Sequence, residues 1–219
     1  MKKENFRNLA FSVSLLLGFV LWTFLVCVTD RKPIGPEGSL VGLAAINGPF
    51  HRLTGVHFWL YNLTDLLSLI PLFIIFGFAI LGLCQLIKRK SLLKVDFSIL
   101  ALGVFYVVVL ALYMLFEVVE VNFRPLLIEG FLEPSYPSST TLLILTVMPT
   151  AAMQVNRLLK NEILKKCVLV SIMVFTAFMV LGRLVSGVHW VSDIIGGGLL
   201  GGGLVLLYRF VLGFENHSV

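Results

Sequence analysis

Arg183, His189 and Asp193 fall in the pattern Arg-(x5)-His-(x3)-Asp, where an apolar stretch gives way to a Gly-rich one. Histidine and aspartate four residues apart share one face if a helix starts at or just before Val188, with Arg183 a short loop upstream. A carboxylate beside an imidazole fixes its tautomer and frees the far nitrogen as nucleophile or base. Arginine adds a planar, permanently charged fork that matches phosphoryl oxygens. Together these residue types point to phosphoryl chemistry at a membrane surface.

Two upstream segments offer partners. Arg124-Pro125 follows Glu117 and Glu120 and could hold the same anion; alone, Arg124 also reads as an interfacial side chain that snorkels. Further on, Pro137-Ser138-Ser139-Thr140 reads as a helix start with Ser138 or Ser139 as the N-cap. The first backbone N–H groups of such a helix form an anion site, and plain capping explains the same residues.

The elements that must carry these groups are membrane-spanning. The chain is 58% apolar and 13% charged, with a mean hydropathy of +0.98, against about 25% charged in soluble domains. Its 219 residues make one domain, 1–219. Six spans, each near the ~20 residues that cross hydrocarbon, are expected at roughly 9–28, 63–87, 97–119, 140–158, 167–184 and 194–212. The predicted class is therefore an all-α integral membrane protein, a six-transmembrane helix bundle. The first span has a basic start, but its apolar stretch is long and no small-residue cleavage site follows, so it reads as retained rather than as a signal peptide.

Orientation follows from the basic residues. Twelve of the seventeen, among them Lys2, Lys3, Arg7, Lys88, Arg89, Lys90, Lys94, Arg157 and Arg209, fall on one side. That side is predicted to be cytoplasmic, with both termini, so Arg183, His189 and Asp193 face outward on the extracytoplasmic side. The basic residues form short clusters beside apolar spans, which excludes nucleic acid as the explanation of the +5 net charge. Cys27, Cys84 and Cys167 lie in or beside apolar segments without paired spacing and read as packing thiols, so neither a disulfide framework nor a zinc site is indicated. The outer segment 30–62 carries Leu40, Val41, Leu43, Ile46, Phe50 and Leu53, the makings of a short amphipathic helix. Such a helix either guides a lipid into the site or caps the bundle. Gly196–Gly198 and Gly201–Gly203 predict close helix packing in the last span.

The three blocks together resemble the type-2 phosphatidic acid phosphatase superfamily, the membrane relatives of the vanadium haloperoxidases. That family carries Lys-(x6)-Arg-Pro, then Pro-Ser-Gly-His, then Ser-Arg-(x5)-His-(x3)-Asp. Here they read Glu117-(x6)-Arg124-Pro125, Pro137-Ser138-Ser139-Thr140 and Gly182-Arg183-(x5)-His189-(x3)-Asp193. The resemblance implies His189 as the nucleophile that forms a phosphohistidine and Asp193 as its orienting carboxylate. It implies Arg124 and Arg183 as the phosphate clamp, joined by the Ser138 hydroxyl and the amides near Ser139 and Thr140. No metal or other cofactor is implied, since the arginines supply the positive charge.

Two departures bear on activity. The family's lysine is Glu117, a reversal of charge beside an anion site, and its leaving-group histidine is Thr140, which cannot act as an acid near neutral pH. General acid catalysis is worth roughly 10²–10⁴-fold, so Thr140 favours a weakly basic leaving group, such as the phosphate of a prenyl diphosphate. His57 and Glu133 are the nearest outer substitutes for the acid. Glu117 or Glu120 either pairs with Arg124 or, for Glu117, meets a cationic head group. Asp65 reads as a helix-start or interhelical partner. The resulting expectation is a membrane lipid phosphatase that removes or transfers a phosphoryl group of a lipid phosphate or prenyl diphosphate, in a bacterial inner membrane. The alternative is a catalytically silent relative that binds or moves a phospholipid or prenyl phosphate. A channel or transporter fits less well, because the polar residues gather at one face. Nothing in the sequence sets an oligomeric state.

Overall fold

The computed structural model describes residues 2–215. Eight helices carry the described chain: α1 (Lys2–Val28), α2 (Ala44–Thr54), α3 (Phe58–Leu67), α4 (Leu69–Arg89), α5 (Phe97–Val118), α6 (Ser139–Leu158), α7 (Glu162–Val185) and α8 (Val191–Glu215). Among the described residues, five stretches are long and apolar enough to cross a membrane: Lys3–Val28, Phe58–Arg89, Phe97–Val118, Glu162–Val185 and Val191–Phe214. The second joins α3 and α4 across Ser68. The break there has a local cause: Pro71 has no N–H to offer the Leu67 carbonyl four residues back.

The fourth expected span forms as α6 but falls outside that set, because Thr140, Thr141, Thr146, Thr150 and Gln154 lower its apolarity. These residues are all buried. α6 is the central helix, packed against α4, α5, α7 and α8, so its polar groups find protein partners rather than lipid. Thr146 and Thr150 return their hydroxyls to the carbonyls of Leu142 and Thr146 at 2.8 Å. Gln154 donates to the Tyr208 hydroxyl at 2.7 Å.

α1 runs antiparallel to α8, as three contacts along their length show: Glu4 with Arg209, Ser12 with the Gly203 carbonyl, and Trp22 with the Ser192 carbonyl. The glycines of α8 permit this approach. A Cβ on Gly203 would stand 2.8 Å from the Leu16 side chain, and one on Gly202 would stand 3.3 Å from that of Leu15. Close packing, the expectation for this stripe, is what the structure shows.

The amphipathic helix expected in 30–62 is α2, and it caps the bundle. The Asn47 amide donates to Ser192 Oγ at 2.9 Å, and its carbonyl oxygen accepts from the Ser192 backbone at 3.1 Å. His51 packs on Trp190 with ring centroids 5.3 Å apart. α2 thereby holds the start of α8, where Asp193 lies. Arg89, Lys94, Arg157 and Lys165 sit at one end of the helices, and Arg124, Thr140, Arg183 and His189 gather at the other.

Candidate active site

Arg183 occupies the last turn of α7 and Asp193 the first turn of α8. Between them the chain must reverse within five residues, and Gly187 makes this possible with φ +74°. Its lack of a side chain is needed twice over, because a Cβ there would fall 2.0 Å from the Gly55 carbonyl oxygen. α8 begins at Val191, so the condition for a shared face, a helix start at or just before Val188, is not met. His189 therefore lies in the link ahead of the helix and does not share a helical face with Asp193.

The later start changes what Asp193 does. One carboxylate oxygen accepts from the Trp190 backbone N–H at 2.9 Å and so caps the helix. The other accepts from the Ser192 hydroxyl at 3.3 Å. The same carboxylate stands 3.7 Å from His189 Nδ1, outside hydrogen-bond range. The imidazole is oriented instead by the Ser135 backbone carbonyl, 3.2 Å from Nδ1. A carbonyl only accepts, so Nδ1 carries the proton and Nε2 keeps its lone pair.

Nε2 faces two guanidinium groups, with Arg183 Nη2 at 3.2 Å and Arg124 Nη1 at 3.5 Å. His189 is buried, and desolvation, then Arg124, then Arg183 hold its pKa well below the usual imidazole value. The ring is thus a neutral imidazole with one bare nitrogen, flanked by permanent positive charge. That is the state a nitrogen nucleophile requires.

Each arginine is steered by a carboxylate. Arg124 Nε lies 3.0 Å from Glu133 Oε2, and the two residues also share a backbone hydrogen bond. Glu133, rather than Glu117 or Glu120, is thus the partner of Arg124. Arg183, with 1% of its surface exposed, has Asp65 Oδ1 at 3.6 Å from Nη1 and its guanidinium carbon 5.1 Å from the centre of the Tyr61 ring. Asp65 is thus an interhelical partner, one of the roles expected for it. Arg183 Nε and Nη1 make no hydrogen bond to protein. Buried N–H groups on a cation, left without an acceptor, suit an anion's oxygens.

Arg124 and Arg183 line a cavity of about 200 Å³ with Ser139, Thr140, Tyr113 and Glu117. Its remaining wall includes Asp65 and Ser68 on the polar side and Leu72, Leu110 and Leu143 on the apolar side. Ser138 is fully buried and serves the cap, its hydroxyl oxygen accepting from Thr141 Oγ1 at 3.0 Å and, more weakly, from the Thr141 N–H at 3.4 Å. The Ser138 N–H is bound to the Asp193 carbonyl at 3.0 Å, which ties the start of α6 to α8. Ser139 and Thr140, not Ser138, thus reach the cavity. His57 is exposed, with Nε2 bonded to the Thr54 carbonyl at 3.0 Å, and does not line it. Ser135, Tyr61 and Tyr113 went unrecognised in the sequence. For Tyr61 a signal existed, since Tyr61-(x3)-Asp65 places both on one face of α3.

The PAP2 superfamily's sequence model matches residues 113–215, which hold all three blocks and seven of the eleven residues that line the cavity. The fold is similar to that of a solved transmembrane PAP2-type phosphatidylglycerolphosphate phosphatase from Bacillus subtilis. The TM-score is 0.59 at 23% identity, covering 95% of this chain and 97% of that one. Comparison with curated protein sequences gives no match. At that identity the structural likeness speaks for the fold alone, while the sequence match speaks for the region that holds the site. The chain thus has the fold of a transmembrane PAP2-type phosphatase, and its site-bearing region, residues 113–215, matches the sequence model of the PAP2 superfamily.

Proposed function

We propose that the protein is a lipid phosphate phosphatase that works through a phosphohistidine on His189, with its site on the extracytoplasmic face of a bacterial inner membrane and both termini inside. The observation that carries this reading is the bare Nε2 of His189 facing the N–H groups of Arg183 and Arg124. When a phosphoryl group enters, those N–H groups turn to its oxygens and release the lone pair for attack. The P–O bond to the lipid breaks as the P–N bond forms. Water then attacks phosphorus, the P–N electron pair returns to Nε2, and phosphate departs. Asp193 holds the start of α8 and with it the loop that carries the nucleophile.

A lipid substrate is supported by a second cavity. An apolar space of about 460 Å³ lies between α4 and α5, and Leu110 lines both it and the charged one. Its wall runs from Ile75 to Leu86 on α4, about 16 Å at 1.5 Å per residue, so a chain can lie there while its phosphate meets the arginines. Thr140 weights the choice toward a substrate whose leaving group is itself a phosphate, such as a prenyl diphosphate. A catalytically silent lipid-binding relative is the second reading. It is favoured by the position of both departures, Glu117 and Thr140, in the cavity wall.

The test is phosphate release by the purified protein in detergent, from a prenyl diphosphate and from phosphatidic acid, beside His189→Ala. Release by wild type and none by the variant is expected, together with an acid-labile phosphoryl adduct on wild type. Absence of release across both substrates, with lipid phosphate binding retained, would overturn the enzymatic reading in favour of the silent one.

A further inference from the structure

We propose that Tyr113 supplies the proton that the leaving group needs, in place of the histidine that Thr140 has replaced. This rests on the phosphatase reading above.

Leu110, Tyr113 and Glu117 fall at i, i+3 and i+7 on α5, and this face of the helix lines the charged cavity. Tyr113 lines that cavity together with Ser139 and Thr140, from the start of α6. It therefore shares a cavity with Thr140, the position from which the family resemblance implies protonation, and with both arginines that face His189. The other groups of the wall are poorly suited to the step. Ser68, Ser139 and Thr140 carry aliphatic hydroxyls, which are weaker acids than a phenol. Asp65 is engaged by the Arg183 guanidinium, with Oδ1 3.6 Å from Nη1. Glu117, one turn beyond Tyr113, lies at the exposed end of the helix.

The proton balance closes within this pair of residues. As His189 Nε2 attacks, the lipid oxygen leaves phosphorus with its electron pair and takes the proton of the Tyr113 hydroxyl. In the second step the Tyr113 phenolate takes a proton from the attacking water. The new P–O bond forms, the P–N bond breaks, and Tyr113 is again neutral.

The test reads leaving-group dependence. Wild type, Tyr113→Phe and the double variant Tyr113→Phe/Thr140→His are assayed in detergent on phosphatidic acid, which must expel an alkoxide, and on a prenyl diphosphate, which expels phosphate. Tyr113→Phe is expected to slow phosphatidic acid hydrolysis at least tenfold more than diphosphate hydrolysis, within the roughly 10²–10⁴-fold span of acid catalysis. The added histidine is expected to recover most of that loss. Equal losses on the two substrates, no loss at all, or a wild type that cleaves only the diphosphate would overturn the assignment of Tyr113 and leave the phosphatase reading standing. A wild type that cleaves neither overturns both.

Discussion

His189 Nδ1 lies 3.2 Å from the Ser135 carbonyl oxygen and 3.7 Å from the nearer oxygen of Asp193. A backbone carbonyl therefore sets the tautomer, and the aspartate acts on the ring at one remove, through the loop it caps. Asp193→Asn keeps an oxygen able to accept from the Trp190 N–H while removing the charge. Its turnover is expected to fall by about tenfold to a hundredfold, the range seen when a group that only supports a reacting residue is changed, whereas His189→Ala abolishes turnover. Initial rates on one lipid phosphate decide it. A loss in Asp193→Asn as complete as in His189→Ala would mean that the carboxylate, not Ser135, holds the tautomer.

The charge state of His189 sets the acid limb of the pH profile. Burial and the two arginines depress its pKa, so the neutral, nucleophilic form survives as pH falls through the ordinary imidazole value of about 6.5. The rate-limiting protonation of the nucleophile is expected well below that value. The same depression has a consequence for stability with a definite sign. The unfolded chain takes up a proton near pH 6.5 that the folded chain refuses, so this contribution is complete above that pH and declines as pH falls toward the folded pKa. Titration of the His189 ring by NMR in detergent checks both statements. A midpoint at 6.5 or above contradicts them.

Gly187 is expected to tolerate no side chain. Its φ of +74° costs any other residue roughly 1–3 kcal/mol, and a Cβ 2.0 Å from the Gly55 carbonyl oxygen requires the backbone to move as well. Gly187→Ala should lower the thermal midpoint in detergent by several degrees. It should also reduce turnover more than it reduces the folded fraction, since the displaced link carries His189. Gly77→Ala serves as the control, because its Cβ meets nothing within 4 Å and it lies inside α4. Equal behaviour of the two variants would remove Gly187 from the site's architecture.

Arg183, His189 and Asp193 could be read from the sequence because they lie within eleven consecutive residues and carry side-chain chemistry. The orienting role of Ser135 could not, because the acceptor is a carbonyl that every residue possesses. The start of α8 was not legible for a related reason. The His-(x3)-Asp spacing fits a helix face, but Gly187 turns the chain and Asp193 caps it at Trp190, so the helix begins two residues after His189. Helix positions were largely legible from apolar runs. The polarity of α6 was equally visible, but only the packing of four helices around it explains why its threonines are buried. Of the partners of the arginines, Asp65 reads as an interhelical partner without its arginine being named, and Glu133 reads only as a substitute acid. Their pairings depend on which helices and loops meet in space, and a single sequence does not state this.

Leu110 lines both the charged cavity and the apolar one, and from this position it should govern chain length rather than chemistry. Enlarging it fills the neck between head and tail without touching an arginine or His189. Overpacking a fitted space costs roughly 1–3 kcal/mol, and 1.4 kcal/mol is a factor of ten in binding. Leu110→Trp is therefore expected to raise KM for a long-chain lipid phosphate by about tenfold or more. A short-chain analogue, whose tail ends before the neck, should lose much less. Steady-state kinetics on a chain-length series in detergent measures the difference. Equal loss on short and long chains would mean that the space between α4 and α5 does not receive the tail.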